Sequence, residues 1–273
     1  MKANRICPNC LKESSSKALF CPYCKASFGD IHYFQDGFRI RVIKAYSKTI
    51  ERAPIEKTYN GAPVLSIGPS AFNGCKNLGY LSIPDGLEEI GEDAFSNCVS
   101  LSSLFIPSSV IKVGARAFRG CSNIAEMILG NGTDALGGNR ICFCGNLAAS
   151  RYGGGIGNFS DMMGLGICTC GASSIKVGLT RIESEAFEGL SSLTSLTLPE
   201  GVRILEEGCF GNCTSLKSAN IPSSIDKVLY PFYGCSSLEV IKYNGTKDGL
   251  KEISGYLSLS EGTKAIVRCI DGD

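Results

Sequence analysis

The chain has 273 residues, 44% of them apolar, with 27 lysines and arginines against 26 aspartates and glutamates. That is enough apolar material to bury a large core, and no stretch is long and apolar enough to cross a membrane as a helix, so an embedded role is excluded and a soluble protein expected. The near-neutral total hides an asymmetry: residues 1–60 hold 11 basic and 5 acidic side chains, net +6, and the remainder 16 and 21, net −5. The first ten residues, Met1 to Cys10, contain no apolar segment of the kind a secretory leader needs, which makes the cytoplasm the expected compartment.

Residues 1–30 carry the strongest chemical motif. Cys7-Pro8-Asn9-Cys10 is followed, ten residues on, by Cys21-Pro22-Tyr23-Cys24. Two such knuckles bring four thiolates to one tetrahedral Zn²⁺, a closed structural site with no vacancy for catalytic water. Two disulfides or a redox pair are the competing reading. A tight β-hairpin between the knuckles suits the spacing, and so short a segment needs the metal to fold.

From residue 60 onward the sequence repeats every 23 residues. Ala71-Phe72-Asn73-Gly74-Cys75 is echoed by Ala94-Phe95-Ser96-Asn97-Cys98 and Ala117-Phe118-Arg119-Gly120-Cys121, and each phenylalanine is followed six residues later by Leu78, Leu101 or Ile124. Such self-similarity is the mark of a solenoid, in which one coil cannot bury its apolar side alone. Within a coil the apolar columns are Phe72, Cys75, Leu78, Leu81, Ile83, Leu87 and Ile90. Alternation puts Leu81 and Ile83 on the inner side of a short strand and Tyr80 and Ser82 on the outer side. Pro84, Pro107, Pro199 and Pro222 end that strand at the same place each time, as a residue without an N–H donor should.

The next clear phenylalanine after Phe118 is Phe187, 69 residues on, or three periods of 23. Two degenerate coils are therefore expected over residues 140–185, with Cys144 and Leu147 in the columns of Cys121 and Ile124, Ile175 in that of Ile83, and Ile182 in that of Ile90 and Val113. The pattern resumes with Phe187, Phe210 and Phe232, the last step being 22 residues, one short. Eight coils at the strand spacing of about 4.8 Å give a slab of roughly 40 Å.

The remaining cysteines follow the repeat. Cys75, Cys98, Cys121, Cys144, Cys213 and Cys235 share one column, which also accepts Ile167 and Leu190, so they read as reduced packing residues, and Cys209 stands in an alanine column. Cys142-Phe143-Cys144 and Cys168-Thr169-Cys170 suggest a second metal site, but the repeat absorbs Cys144 and Cys170 and leaves only Cys142 and Cys168 outside packed positions. The glycine-rich run Arg151 to Gly157 resembles a phosphate cradle without the strand and helix such a cradle needs, and it reads as a distorted coil. His32 has no nucleophile motif near it, so no acid, base or nucleophile constellation can be assembled and no enzyme is expected.

Two resemblances follow from these residues. Residues 5–26 resemble the zinc-ribbon modules at the N-termini of many bacterial proteins, except that Leu11 and Lys25 stand where such ribbons usually have glycine. Residues 33–273 resemble the BspA-type leucine-rich repeats, including Asp36 to Ile40 and Asn60 to Val64 at the start and Tyr243 to Thr246 with Val267 to Cys269 at the end. The resemblance implies a mainly β solenoid over 31–273, with an N-terminal cap at 31–63 and a C-terminal cap at 244–273, behind a small four-cysteine zinc ribbon at 1–30. It also implies surface or secreted relatives that bind other macromolecules.

The expected function is a non-enzymatic protein-interaction scaffold with the ribbon as an accessory contact. The alternative is a nucleic-acid or nucleoprotein adaptor led by the basic ribbon. On the outer strand face most side chains are small and polar, and Tyr80, Phe105 and Ile128, on three consecutive coils, stand out as one candidate partner patch. The competing reading is that the N-terminal hairpin or the ribbon folds over this patch.

Overall fold

The computed structural model describes residues 5–6, 13–14, 31–36, 39–45, 47–59, 61–130 and 178–272. Each coil makes two short parallel strands separated by turns, and stacking the coils builds two faces. One face is a sheet in the order Lys227–Val228, Ile204–Leu205, Arg181–Ile182, Lys112–Val113, Glu89–Ile90, Ala62–Ile67, Arg39–Ala45 and Ile31–Asp36. The other face carries the longer strands. Arg52–Pro54 pairs with Tyr80–Ser82, Ser103–Ile106 with Glu126–Leu129, and Ser195–Thr197, Ser218–Ile221, Val240–Tyr243 and Ile266–Cys269 form one four-stranded ladder. The result is a mainly β solenoid of about eight levels with a single short α-helix, Lys247–Glu252, among the described residues.

The core is a set of columns, each one residue type repeated level after level. Phe72, Phe95, Phe118, Phe187, Phe210 and Phe232 are fully buried and stack in sequence, with ring centroids 4.9, 5.0, 5.6, 5.2 and 5.9 Å apart. The last pair tilts by 26°, where the others stay within 8°, because that coil is one residue short. Beside them lie the free thiols of Cys75, Cys98, Cys121, Cys213 and Cys235, with Cys209 in the alanine column, all buried as the repeat predicts.

Turns keep the repeat in shape. The position before the core cysteine has a left-handed backbone at every level, φ 60° at Asn97 and 55° at Asn212 and between 70° and 75° at Gly74, Gly120, Gly189 and Gly234. Only Gly and Asn occupy it, the two residues that adopt this region at least cost. Two residues before each phenylalanine a second left-handed position carries Ser70, Asp93, Arg116, Glu185, Gly208 and Tyr230.

Two expectations are corrected. The ladder passes directly from Lys112–Val113 to Arg181–Ile182, Phe118 stacks on Phe187, and Arg116 and Phe118 donate their N–H groups to Ser184 and Ala186. Ile182 does fall in the column of Ile90 and Val113. The two coils expected over 140–185 therefore do not stand between these levels. Residues 131–177, with Cys142, Cys144, Cys168, Cys170 and the Arg151 to Gly157 run, lie outside the described residues. Second, Leu81 is half-buried, unlike Ile83. No ladder joins Tyr80–Ser82 to Ser103–Ile106, so the next level does not close over it. Met127, beside the other break in this face, is half-buried too.

Both ends are capped. At the start, an antiparallel hairpin of Ile31–Asp36 and Arg39–Ala45 joins the sheet, and Thr58–Tyr59 folds back on Ala62–Pro63. At the end, Thr246 caps the helix Lys247–Glu252 by accepting the Gly249 N–H at 3.2 Å, and Leu259 of the short helix Tyr256–Leu259 is fully buried. Ahead of the solenoid, Arg5–Ile6 pairs antiparallel with Glu13–Ser14. That pairing lies across Cys7 and Cys10 in sequence, and the hairpin expected between the two knuckles falls on residues outside those described.

Candidate interaction face

The outer side chains of the longer strands form two columns along the solenoid. One runs Arg52, Tyr80, Ser103, Glu126, Ser195, Ser218, Val240, Ile266, and the other Pro54, Ser82, Phe105, Ile128, Thr197, Asn220, Lys242, Arg268. The three aromatic or aliphatic residues singled out from sequence are all exposed: Tyr80 at 43%, Phe105 at 54% and Ile128 at 61%. No described residue folds over them.

They do not form one uniform patch. Phe105 and Ile128 are direct partners in a parallel ladder, so their side chains lie side by side. Tyr80 belongs to the other column and to a separate pair of strands, opposite Arg52, whose guanidinium carbon sits 4.2 Å from the ring centre. A cation over an aromatic face holds that ring in place. Around it, Glu51, Asn77, Gly79 and Ser100 complete a shallow open depression. Sequence alternation found the exposed residues, but the Arg52 partner needed the register of the first coil, which has no phenylalanine to announce it.

Beyond Ile128 the face is polar at Ser195, Thr197, Ser218 and Asn220, and its last two levels carry Val240 with Lys242 and exposed Ile266 with Arg268, the two cations lying opposite each other. The opposite edge of the solenoid carries fixed ion pairs instead. Arg119 bridges Glu185 at 2.9 Å and Glu188 at 2.8 Å, across the junction of the Phe118 and Phe187 levels. Tyr233 reaches over Gly211 to donate to Glu188 at 2.7 Å, and Asn212 donates to the same carboxylate oxygen. Partial burial and that carboxylate push the Tyr233 hydroxyl up to about 12. These groups are tied to one another and present no nucleophile beside a base.

His32 is buried in the cap hairpin opposite Lys44, and burial, then the Lys44 charge, lowers its pKa. Burial pushes the Cys75 and Cys209 thiols up, and Cys98 is raised by its contact with Cys121 and by burial, so these three thiols stay protonated. Among the described residues no cluster of His, Cys, Asp or Glu could hold a metal, and none forms a helix long and apolar enough to cross a membrane. Cys7, Cys10, Cys21 and Cys24 lie outside the described residues.

Comparison with known proteins agrees with the fold. A BspA type leucine rich repeat region is matched in six copies over residues 46–163 and 167–259. The repeat pattern thus continues in sequence through part of 131–177, although the levels on either side bond directly to each other. Among solved structures, a leucine-rich repeat protein from Bacteroides ovatus ATCC 8483 is 26% identical with a TM-score of 0.55, over 78% of this chain and 46% of that one. The chain therefore spans less than half the length of that protein. A leucine rich repeat protein of T. pallidum is 20% identical with a TM-score of 0.58, over 87% of this chain and 95% of that one, a likeness of fold. No curated protein matches the sequence.

Proposed function

Since the chain belongs to the BspA-type leucine-rich repeat family, we propose that it is a non-enzymatic scaffold whose longer-strand face binds a protein partner. The observation that carries this reading is the exposed pair Phe105 and Ile128, neighbours in register, at positions that the following coils fill with Thr197, Asn220 and Lys242. Adjacent exposed apolar side chains are the usual centre of a protein interface. Tyr80, held by Arg52, extends the patch by one level. In the same proposal Cys7, Cys10, Cys21 and Cys24 hold one structural Zn²⁺ and the ribbon is an accessory contact.

A photo-crosslinking residue placed at Phe105 should trap a protein in extracts, whereas one at Glu89 on the opposite sheet should not. Phe105→Ser with Ile128→Ser should leave the melting temperature nearly unchanged and abolish the capture. A large drop in melting temperature would show the pair to be internal packing. Capture lost on nuclease treatment would instead favour the nucleic-acid adaptor, for which the net charge of +6 on residues 1–60 speaks.

A further inference from the structure

The step between the Tyr80 and Ser103 levels opens on the outer side of the solenoid. At four other steps the residue just ahead of the longer strand is tied to the level before it: the Gly79 N–H donates to Glu51 at 3.0 Å, Ala125 to Ser102 at 3.0 Å, Lys217 to Thr194 at 2.9 Å and Glu239 to Lys217 at 3.0 Å. The equivalent bond from Ser102 to Gly79 is not made, and no ladder joins the two strands that follow. Among the described residues the Gly79 carbonyl and the Ser102 N–H, both on exposed residues, are thus left without a partner.

What opens there is the depression beside Tyr80, about 610 Å³, lined by Glu51, Arg52, Asn77, Gly79, Tyr80 and Ser100. Later levels place Ser102, Ala125, Thr194, Lys217 and Glu239 where this one has Gly79, so here the repeat supplies no side chain to fill the space. Nothing in the packing asks for that glycine. Its φ is not left-handed, and a Cβ on it would meet nothing nearer than the Ser100 carbonyl at 3.8 Å. The Arg52 guanidinium takes one face of the Tyr80 ring, and Ser103, next in that column, is too short to take the other.

A concavity with an aromatic wall and a few convergent polar groups is the form that small-ligand sites take. Among the described residues the side chains of Glu51, Arg52 and Asn77 make no hydrogen bond of their own, and Ser100, whose hydroxyl donates to the Lys76 carbonyl at 2.6 Å, keeps acceptor capacity. Arg52, Asn77 and the Ser102 N–H therefore offer donors, and Glu51, Ser100 and the Gly79 carbonyl offer acceptors. One cation beside one carboxylate favours neither an anionic nor a cationic ligand. A sugar ring fits this set, because its C–H face packs on the electron-rich face of an aromatic ring and each of its hydroxyls both donates and accepts. We infer that the depression beside Tyr80 binds one hexopyranose unit of a neutral saccharide, stacked on the ring and held through Glu51, Asn77 and the free backbone groups of Gly79 and Ser102. The site adjoins Phe105 and Ile128 and does not depend on their being a protein-binding patch.

The probes are the methyl glycosides of glucose, galactose, mannose and N-acetylglucosamine, offered to the full chain at millimolar concentration and followed by saturation-transfer difference NMR, with the open-chain polyol sorbitol as control. At least one glycoside should receive saturation on the protons of one ring face, and sorbitol should receive none. Tyr80→Ser should weaken that binding at least tenfold, and so should Gly79→Thr, which places in the depression the residue that Thr194 supplies at the same position of a later level. Tyr80→Phe should bind as the native chain does. Both positions are exposed, so melting temperatures should stay near that of the native chain. Phe105→Ser with Ile128→Ser should leave saccharide binding unchanged, and its loss in that variant would overturn the assignment to this depression. The inference also falls if no glycoside binds, if sorbitol binds equally, if Tyr80→Ser or Gly79→Thr binds like the native chain, or if adenosine is preferred to every glycoside. Tighter binding of an oligosaccharide than of its methyl glycoside supports the inference with a glycan chain as the source, and equal binding supports it with a single terminal sugar.

Discussion

Four of the six buried core thiols among the described residues are held by the coil behind them. Cys98, Cys121, Cys213 and Cys235 donate to the carbonyls of Phe72, Phe95, Phe187 and Phe210 at 3.2, 3.1, 3.4 and 3.1 Å. The Phe72 and Phe95 carbonyls also accept an N–H from their own coil, from Cys75 at 3.0 Å and from Cys98 at 3.2 Å. The sequence identified the column as packing because Leu190 can stand in it, but a spacing carries no information about where a thiol points. Cys98→Ala should cost about 1–2 kcal/mol, a small cavity and one weak hydrogen bond, against about 2–5 kcal/mol for Leu196→Ala. Leu81→Ala should fall below Leu196→Ala, because Leu81 is already half-exposed. Urea titration of the three variants orders them, and a Leu81 variant as costly as Leu196 would contradict the packing described. His32 gives the residue scale a pH signature. Burial and Lys44 hold its pKa below 6.5, so the unfolded chain takes up the proton first and stability falls as pH drops below about 6.5 toward the lowered value. His32→Gln should flatten the melting temperature between pH 7 and pH 5, and an unchanged slope would show that carboxylates alone set it.

Among the elements, the junction between the Phe118 and Phe187 levels tests how far periodicity can be trusted. Its multiple of 23 correctly kept Phe187 and Ile182 in their columns, since stacking demands whole repeats. It could not say whether the intervening residues join the stack, because register is blind to what leaves and returns in phase. Ile106 and Val113 are 7 positions apart, while the equivalent Leu129 and Ile182 are 53 apart, an excess of 46, which is two repeats. Deleting residues 131–176 would join Gly130 to Val177 and restore the seven-position spacing, with Leu179 where Val110 sits. The shortened chain should fold, with a far-UV spectrum of the same shape and a cooperative melt. Loss of the solenoid signal would show that the deleted residues support the stack. The break between Tyr80–Ser82 and Ser103–Ile106 was equally illegible, since both strands carry the full repeat pattern and differ only in whether they bond to each other.

For the whole molecule, the solenoid closes its own ends, with a hairpin at one and the helices Lys247–Glu252 and Tyr256–Leu259 at the other. Its folding is therefore expected to need nothing from residues 1–30. Chelation should release about one zinc per chain and leave the far-UV signal of the solenoid in place, and collapse of the entire signal would tie the two regions together. The architecture, the buried columns and the exposed Phe105, Ile128 and Tyr80 were legible because a repeat states each rule several times. The last level, Ile266–Cys269, was only partly so, because it lacks the phenylalanine and the core-column cysteine that mark the levels before it.

The direct stacking of Phe118 on Phe187 also gives the molecule an internal length marker. Pulled from its two ends, a stacked chain yields level by level, and an ordinary step releases 23 residues, roughly 80 Å of extended chain. Parting the Phe118 and Phe187 levels releases 69, roughly 230 Å. A force–extension trace would therefore contain one increment about three times as long as its neighbours, and its place in the series would report which half of the solenoid yields first.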